Sequence, residues 1–229
     1  MGDNGARRYK ALVFDFDGTL AEVRLDFPEM KRRVAALAAG FAAPRALPPL
    51  PPMPALEMIE QAASFLAAED PEAAARYRAA AHEAVLAMER EAARNSTLFP
   101  FTRGVLADLR ATCVRTAIIT RNCEEAVRIV FPDIDAFCDC LLARDHVPRV
   151  KPDPGHILSA LDRLAVAPSE ALMVGDHPLD VQTGKRVGTL TAGVASGSGS
   201  WDDLARSGAD WVSSDCESLY LELKHAGLV

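Results

Sequence analysis

The sequence has no run of apolar residues approaching the roughly 18 that a helix needs to cross a membrane, so no helical span is expected. The opening residues, Met1 to Arg8, lack the apolar stretch of a secretion signal, and Ala6 stands where a myristoylation site would have Ser or Thr. No basic block occurs, and a net charge of −7 argues against broad nucleic-acid binding. The one basic cluster, Lys31-Arg32-Arg33, reads as a solvated helix face. Cysteine is sparse: Cys113, Cys123, Cys138, Cys140 and Cys216 are odd in number and show no Cys-x-x-Cys spacing, which favours a reduced, cytoplasmic protein. Cys138 and Cys140 are expected to be buried strand thiols and not metal ligands. Internal repeats are also lacking.

What remains is ordinary globular material, 49% apolar and 25% charged, in 229 residues that suffice for one large domain or two unequal ones. Lys10 to Phe14 is a short apolar run that reads as a buried strand. Residues 21–98 are alanine-rich and helical in pattern, with Phe27, Met30, Val34, Leu37 and Phe41 at steps of three and four. Prolines between Pro44 and Pro54 forbid a helix there and predict a stiff connector whose apolar residues pack. Further helices are expected near 55–69 and 71–95, the second with Pro71 in its first turn. From Phe99 onward helical and strand patterns alternate, with strands near 115–120, 138–142, 171–174, 189–194 and 211–212. Such alternation implies a mostly parallel sheet covered by helices on both faces. The tract Ser196-Gly197-Ser198-Gly199-Ser200 reads as a mobile loop.

The chemistry is concentrated where strands end. Asp15 and Asp17 share a face just beyond the first strand, and Gly18 permits a sharp turn after them. Alone, Asp-x-Asp-Gly is better explained by a turn. But Thr120 ends the second strand of the alternating region, Lys151 precedes Pro152-Asp153-Pro154, and Asp176 follows a buried strand with Asp180 four residues on. Parallel strands bring their carboxyl ends together, so these groups would converge on one mouth of the sheet. Two or three carboxylates facing a phosphate oxygen suit Mg2+, a hard cation that prefers oxygen ligands, and their mutual repulsion calls for one. A carboxylate can attack phosphorus, a second can carry the proton, and a cation with a hydroxyl can hold the phosphoryl oxygens.

These motifs, in this order and across about Tyr9 to Leu223, resemble the haloacid dehalogenase superfamily, and most closely its phosphoglycolate phosphatase-like members with a helical cap inserted after the first strand. The resemblance implies an α/β fold, a three-layer Rossmann-like parallel sheet formed by residues 1–20 and 99–229, with residues 21–98 as the cap. It implies a Mg2+-dependent phosphatase acting on a small phosphorylated metabolite, phosphoglycolate-like or a sugar phosphate, with neither nucleic acid nor membrane as partner. Asp15 would be nucleophile and metal ligand. Asp17 would be the general acid/base and would lend its backbone carbonyl to the metal. Lys151 and Thr120 would bind phosphate, joined by Arg121 and Asn122 as candidate substrate contacts. Asp176 would ligate Mg2+, and Asp180 would do so directly or through water. Arg121 departs from the family's usual small residue or asparagine and is equally readable as a surface ion pair, and His177 reads as supporting or solvent-facing. The presence of Asp17 disfavours dehalogenase and phosphonatase chemistry. A phosphosugar mutase and a non-catalytic scaffold remain as alternatives, and the sequence leaves substrate and oligomeric state open.

Overall fold

The protein is described by a computed structural model that covers residues 9–229 apart from positions 45, 49 and 50. The readings of the first eight residues, and of Arg45, Pro49 and Leu50 in the proline-rich run, lie outside the described residues. The chain divides into two units, one holding the chain up to Val23 together with Ser96–Val229, the other Arg24–Asn95.

The first unit is organised on β1 (Ala11–Phe14). Its other strands are β4 (Arg115–Ile119), β5 (Cys140–Leu142), β6 (Ala171–Gly175), β7 (Leu190–Val194) and β8 (Trp211–Ser213), and the six form one sheet in the order β5-β4-β1-β6-β7-β8. Every pairing is parallel, with Ala11 opposite both Arg115 and Ala171. Alternate residues point to opposite faces, so Leu12, Phe14, Ile118, Leu172 and Val174 enter one apolar cluster while Ala11, Val13, Ala117, Ile119 and Met173 enter another. Helices α4 (Thr102–Ala111) and α9 (Cys216–His225) cover the first face through Leu106, Leu109, Leu219 and Leu223. Helix α6 (Pro154–Leu164) covers the second through Ile157, Ala160 and Leu161. Burial on both faces is why these strands read as continuous apolar runs. The result is the three-layer α/β sheet expected from the sequence.

Helices α5 (Glu124–Val130), α7 (Pro178–Val187) and α8 (Trp201–Arg206) complete this unit. The local chemistry fixes where helices begin: Asp153 accepts from Gly155 N–H at α6, His177 from Leu179 N–H at α7 and Ser200 from Asp203 N–H at α8. Two short strands not anticipated from sequence, β2 (Ala21–Glu22) and β3 (Thr97–Leu98), pair antiparallel.

The second unit contains α1 (Phe27–Ala42), α2 (Ala55–Ala67) and α3 (Pro71–Ala93) around Met30, Val34, Ile59, Leu66, Tyr77 and Val85. Asp26 and Asp70 cap α1 and α3, each followed within the first turn by a proline. Leu47 and Met53 of the proline-rich run pack on this cluster. Phe27 departs from the expected apolar stripe, being 51% exposed. Among the described residues no helix is long and apolar enough to cross a membrane.

Candidate active site

Strand order places β1 between β4 and β6, at the point where the chain's progress across the sheet reverses, which is where open α/β sheets bind ligands. The carboxyl ends of these three strands deliver Asp15, Thr120 and Asp176. Beyond β1 the chain turns at Gly18, whose φ of +80° suits glycine and where a β-carbon would lie 2.6 Å from Asp176 Oδ2. That close approach lets the Asp15–Asp17 turn seat directly against Asp176.

Lys151 is the centre of charge. Its side chain is 1% exposed, and its ammonium donates to Asp15 Oδ1 at 2.8 Å and Asp180 Oδ1 at 2.6 Å. Burial pulls the lysine pKa down, but the facing Asp15 and Asp180 carboxylates outweigh it and raise the pKa, so the group is a fixed cation. Asp15 Oδ1 also accepts the Phe16 N–H at 2.8 Å. Both contacts fall on one oxygen, which leaves Oδ2 to act on a ligand.

Asp15, Asp176 and Asp180 each offer an oxygen within 4.8 Å of the others. Burial pushes the Asp176 carboxyl up in pKa, helped by the charge on Asp15 and opposed by hydrogen bonds from Ser198. Asp180, which burial also pushes up, is held back by Lys151. Three carboxylates against one cation leave negative charge in a low-dielectric site, and an all-oxygen donor set fits a hard divalent metal. Asp180 has both oxygens engaged, Oδ1 by Lys151 and Oδ2 by the His177 N–H at 3.2 Å. A role through water suits it better than direct ligation. His177 itself is exposed and caps α7, in keeping with a supporting position.

Asp17 faces a different set of groups. Thr120 Oγ1 donates to its Oδ2 at 3.2 Å, and Asn122 Nδ2 donates to its Oδ1 at 3.2 Å. Thr120 Oγ1 in turn accepts the Asn122 N–H at 3.0 Å, and Asn122 Oδ1 accepts the Cys123 N–H at 2.9 Å. Asn122, read from sequence as a candidate substrate contact, thus spends its amide on orienting Asp17. Arg121 is half-buried and donates to the Lys151 carbonyl at 2.5 Å, a contact that ties two motif loops together.

His156 was not singled out by its sequence context. It is fully buried, accepts the Lys151 N–H at Nδ1 and donates from Nε2 to the Leu142 carbonyl at 2.9 Å. Burial pushes its pKa down to about 4, and the donor and acceptor on opposite nitrogens fit the neutral ring. The imidazole therefore staples the loop carrying Lys151 to the end of β5.

The sequence matches the haloacid dehalogenase-like hydrolase family over residues 12–194, a span that contains all of these groups except Ser198. The chain belongs to that family. A relative, the N-acetylmuramic acid 6-phosphate phosphatase of Pseudomonas putida, is 30% identical over 199 residues, 83% of this chain and 84% of that protein. Another, the pyrophosphatase PpaX of Bacillus velezensis, is 41% identical over 92 residues, 39% of this chain and 43% of that protein. The match to PpaX thus spans less than half of the Bacillus protein. Among solved structures, CbbY from Rhodobacter sphaeroides in complex with phosphate superposes with a TM-score of 0.63 at 25% identity, covering 96% of this chain and 99% of that one. A hydrolase from Pseudomonas syringae gives 0.62 at 21% identity, covering 95% and 98%. The chain is accordingly an enzyme of the haloacid dehalogenase-like hydrolases, with phosphatases among its named relatives.

Proposed function

We propose that this hydrolase is a Mg2+-dependent phosphatase that removes phosphate from a small phosphorylated metabolite, phosphoglycolate-like or a sugar phosphate, through an aspartyl-phosphate on Asp15. The observation that carries the reading is the buried Lys151 ammonium bonded to Asp15 and Asp180, inside a carboxylate trio that includes Asp176 and lies beside a second, separately held aspartate. The phosphatase names of the relatives favour the same class.

In the reaction the Asp15 carboxylate attacks phosphorus as the bond to the leaving oxygen breaks, and Asp17 gives that oxygen its proton. Asp17, now ionised, takes a proton from water. The resulting hydroxide attacks the phosphorus of the aspartyl-phosphate, and cleavage of the Asp15–phosphorus bond returns Asp15 and releases phosphate. Lys151 and Thr120 hold phosphoryl oxygens, whose charge must be offset throughout. In doing so Thr120 turns its hydroxyl proton from Asp17 to the phosphoryl group, which frees Asp17 for proton transfer. Asp15 and Asp176, with Asp180 through water, would hold Mg2+, and the Asp17 backbone carbonyl would complete that set. The metal would supply charge neutralisation at the phosphoryl group.

The test is phosphate release with Mg2+ from a panel of p-nitrophenyl phosphate, 2-phosphoglycolate, hexose 1-phosphates, N-acetylmuramic acid 6-phosphate and pyrophosphate, compared by kcat/KM. Asp15→Asn should keep its circular dichroism spectrum and lose at least about a thousand-fold in turnover. Near-parental turnover in that variant would overturn the assignment. Conversion of hexose 1-phosphate to an isomer without free phosphate would instead point to a mutase, and silence across the whole panel to a scaffold.

A further inference from the structure

The tract Ser196-Gly197-Ser198-Gly199-Ser200, whose composition suggests a mobile loop, is bonded to the heart of the site. Ser196 Oγ donates to the Gly18 carbonyl at 2.7 Å. Ser198 places two donors on one oxygen, its N–H at 2.6 Å and its Oγ at 2.9 Å from Asp176 Oδ2. Gly199 N–H donates to the Asp176 carbonyl at 3.0 Å. The intervening glycines are required by proximity. A β-carbon at Gly197 would lie 2.1 Å from Asp176 Oδ2 and 2.7 Å from Gly18 Cα, and one at Gly199 would lie 2.3 Å from the Asp176 carbonyl oxygen. The serines donate, and the glycines let the backbone come near enough for them to do so.

The effect on Asp176 is asymmetric. Its Oδ2 is occupied by Ser198, whereas Oδ1 has one long contact, from Thr19 Oγ1 at 3.4 Å. A carboxylate so held presents Oδ1 to a cation and cannot rotate to offer the other oxygen. Partners of this kind, one shell outside the ligands, commonly set metal affinity, and losing one typically costs ~10–100-fold.

We propose that Ser198 is a positioning residue for Asp176, and that the Ser196–Gly199 tract is a strap joining the Asp15–Gly18 turn to Asp176 and so sets the enzyme's affinity for its divalent cation. The inference rests on the metal-dependent reading above. It is tested by calorimetric titration of the full chain with Mg2+ in the absence of substrate. Ser198→Ala should weaken Mg2+ binding by about 10-fold, and the Mg2+ concentration giving half-maximal turnover should rise by the same factor. Ser198→Thr, which keeps both donors, should recover most of the loss. Ser200→Ala should bind Mg2+ like the parent, because the Ser200 hydroxyl caps α8 and bonds to Asp203. Should Ser198→Ala fail to fold, Ser198→Cys, close in volume but a weak donor, is read the same way. Equal affinity in Ser198→Ala and parent, or an equal loss in Ser200→Ala, would overturn the strap alone. A parent protein that takes up no Mg2+ would overturn the strap together with the metal-dependent reading.

Discussion

The two units bury charge to different extents: the helical unit buries Glu89, whereas the α/β unit gathers several buried charges at one place. Half of the buried cluster of the helical unit is alanine, packed with Ile59, Leu66, Tyr77 and Val85, and ion pairs such as Glu29 with Arg32 and Glu60 with Arg78 lie on its surface. Surface pairs of that kind contribute roughly 0–1 kcal/mol each, so apolar burial must supply most of its stability. The α/β unit buries Lys151, Asp176 and Asp180, all within 3% exposure, where desolvation is expensive unless every charge is partnered. Those partners are what the site consists of. One unit is stabilised mainly by shape, and the other accepts an electrostatic cost at the proposed site.

The sharpest way to break this contrast is to remove the shared cation. Lys151→Met should destabilise the α/β unit by about 3–5 kcal/mol, because Asp15 and Asp180 are left facing each other without compensation. Urea unfolding in the presence of a chelator measures it, and a loss under about 1 kcal/mol would mean that the carboxylates find other partners. Turnover should fall with it.

His156 gives a pH-dependent version of the same test. Its folded pKa of about 4 lies below the 6.5 of a free histidine, so the unfolded chain binds the extra proton between those values. The stabilisation is complete above pH 6.5 and is lost as pH falls toward 4, by up to about 3 kcal/mol. His156→Gln should flatten the slope of unfolding free energy against pH in that window. Parallel slopes for the two proteins would assign the acid sensitivity to other groups.

The smallest effect is expected in the helical unit and with the opposite sign. The Tyr77 hydroxyl is buried without a hydrogen-bond partner, and burial pushes its pKa up to about 12. Tyr77→Phe removes an unsatisfied polar group without altering the ring that meets Phe41 edge-on, so it should stabilise by about 1 kcal/mol. A raised melting temperature with unchanged kcat/KM is the expected result, and a lowered one would imply a bound water on the hydroxyl.

How much was legible depends on the range of the interaction. β1 and β6 announce themselves because strands covered on both faces are apolar throughout, and the prolines at 71, 154 and 178 mark helix starts by a local steric rule. The strands β2 and β3 carry two residues each, too few for any periodicity. Thr120 and Asn122 stand close together in sequence, yet nothing near them indicates that both bond to Asp17, 103 and 105 residues away. His156 resembles any polar residue in a helix until its two partners, Lys151 N–H and the Leu142 carbonyl, are seen. The Ser-Gly tract was misread for a related reason. Composition reports how freely a backbone can move and says nothing of whether its donors meet acceptors on Gly18 and Asp176.

The parallel pairing of β1 with both β4 and β6 has a consequence for synthesis. Ala11 waits for Ala171 before its strand is flanked on both edges, and Asp176 waits for Ser198 before its carboxylate is tied. A ribosome emits residues in order, so a partly made chain holds Asp15 and Asp17 long before it holds Lys151, Asp176 or the strap. The buried cluster of the helical unit draws only on residues within 24–95, so its packing has no such wait. On the proposed reading, the nucleophile Asp15 is among the first residues made, and Lys151, Asp176 and Ser198, on which it depends, are added only in the later part of the chain.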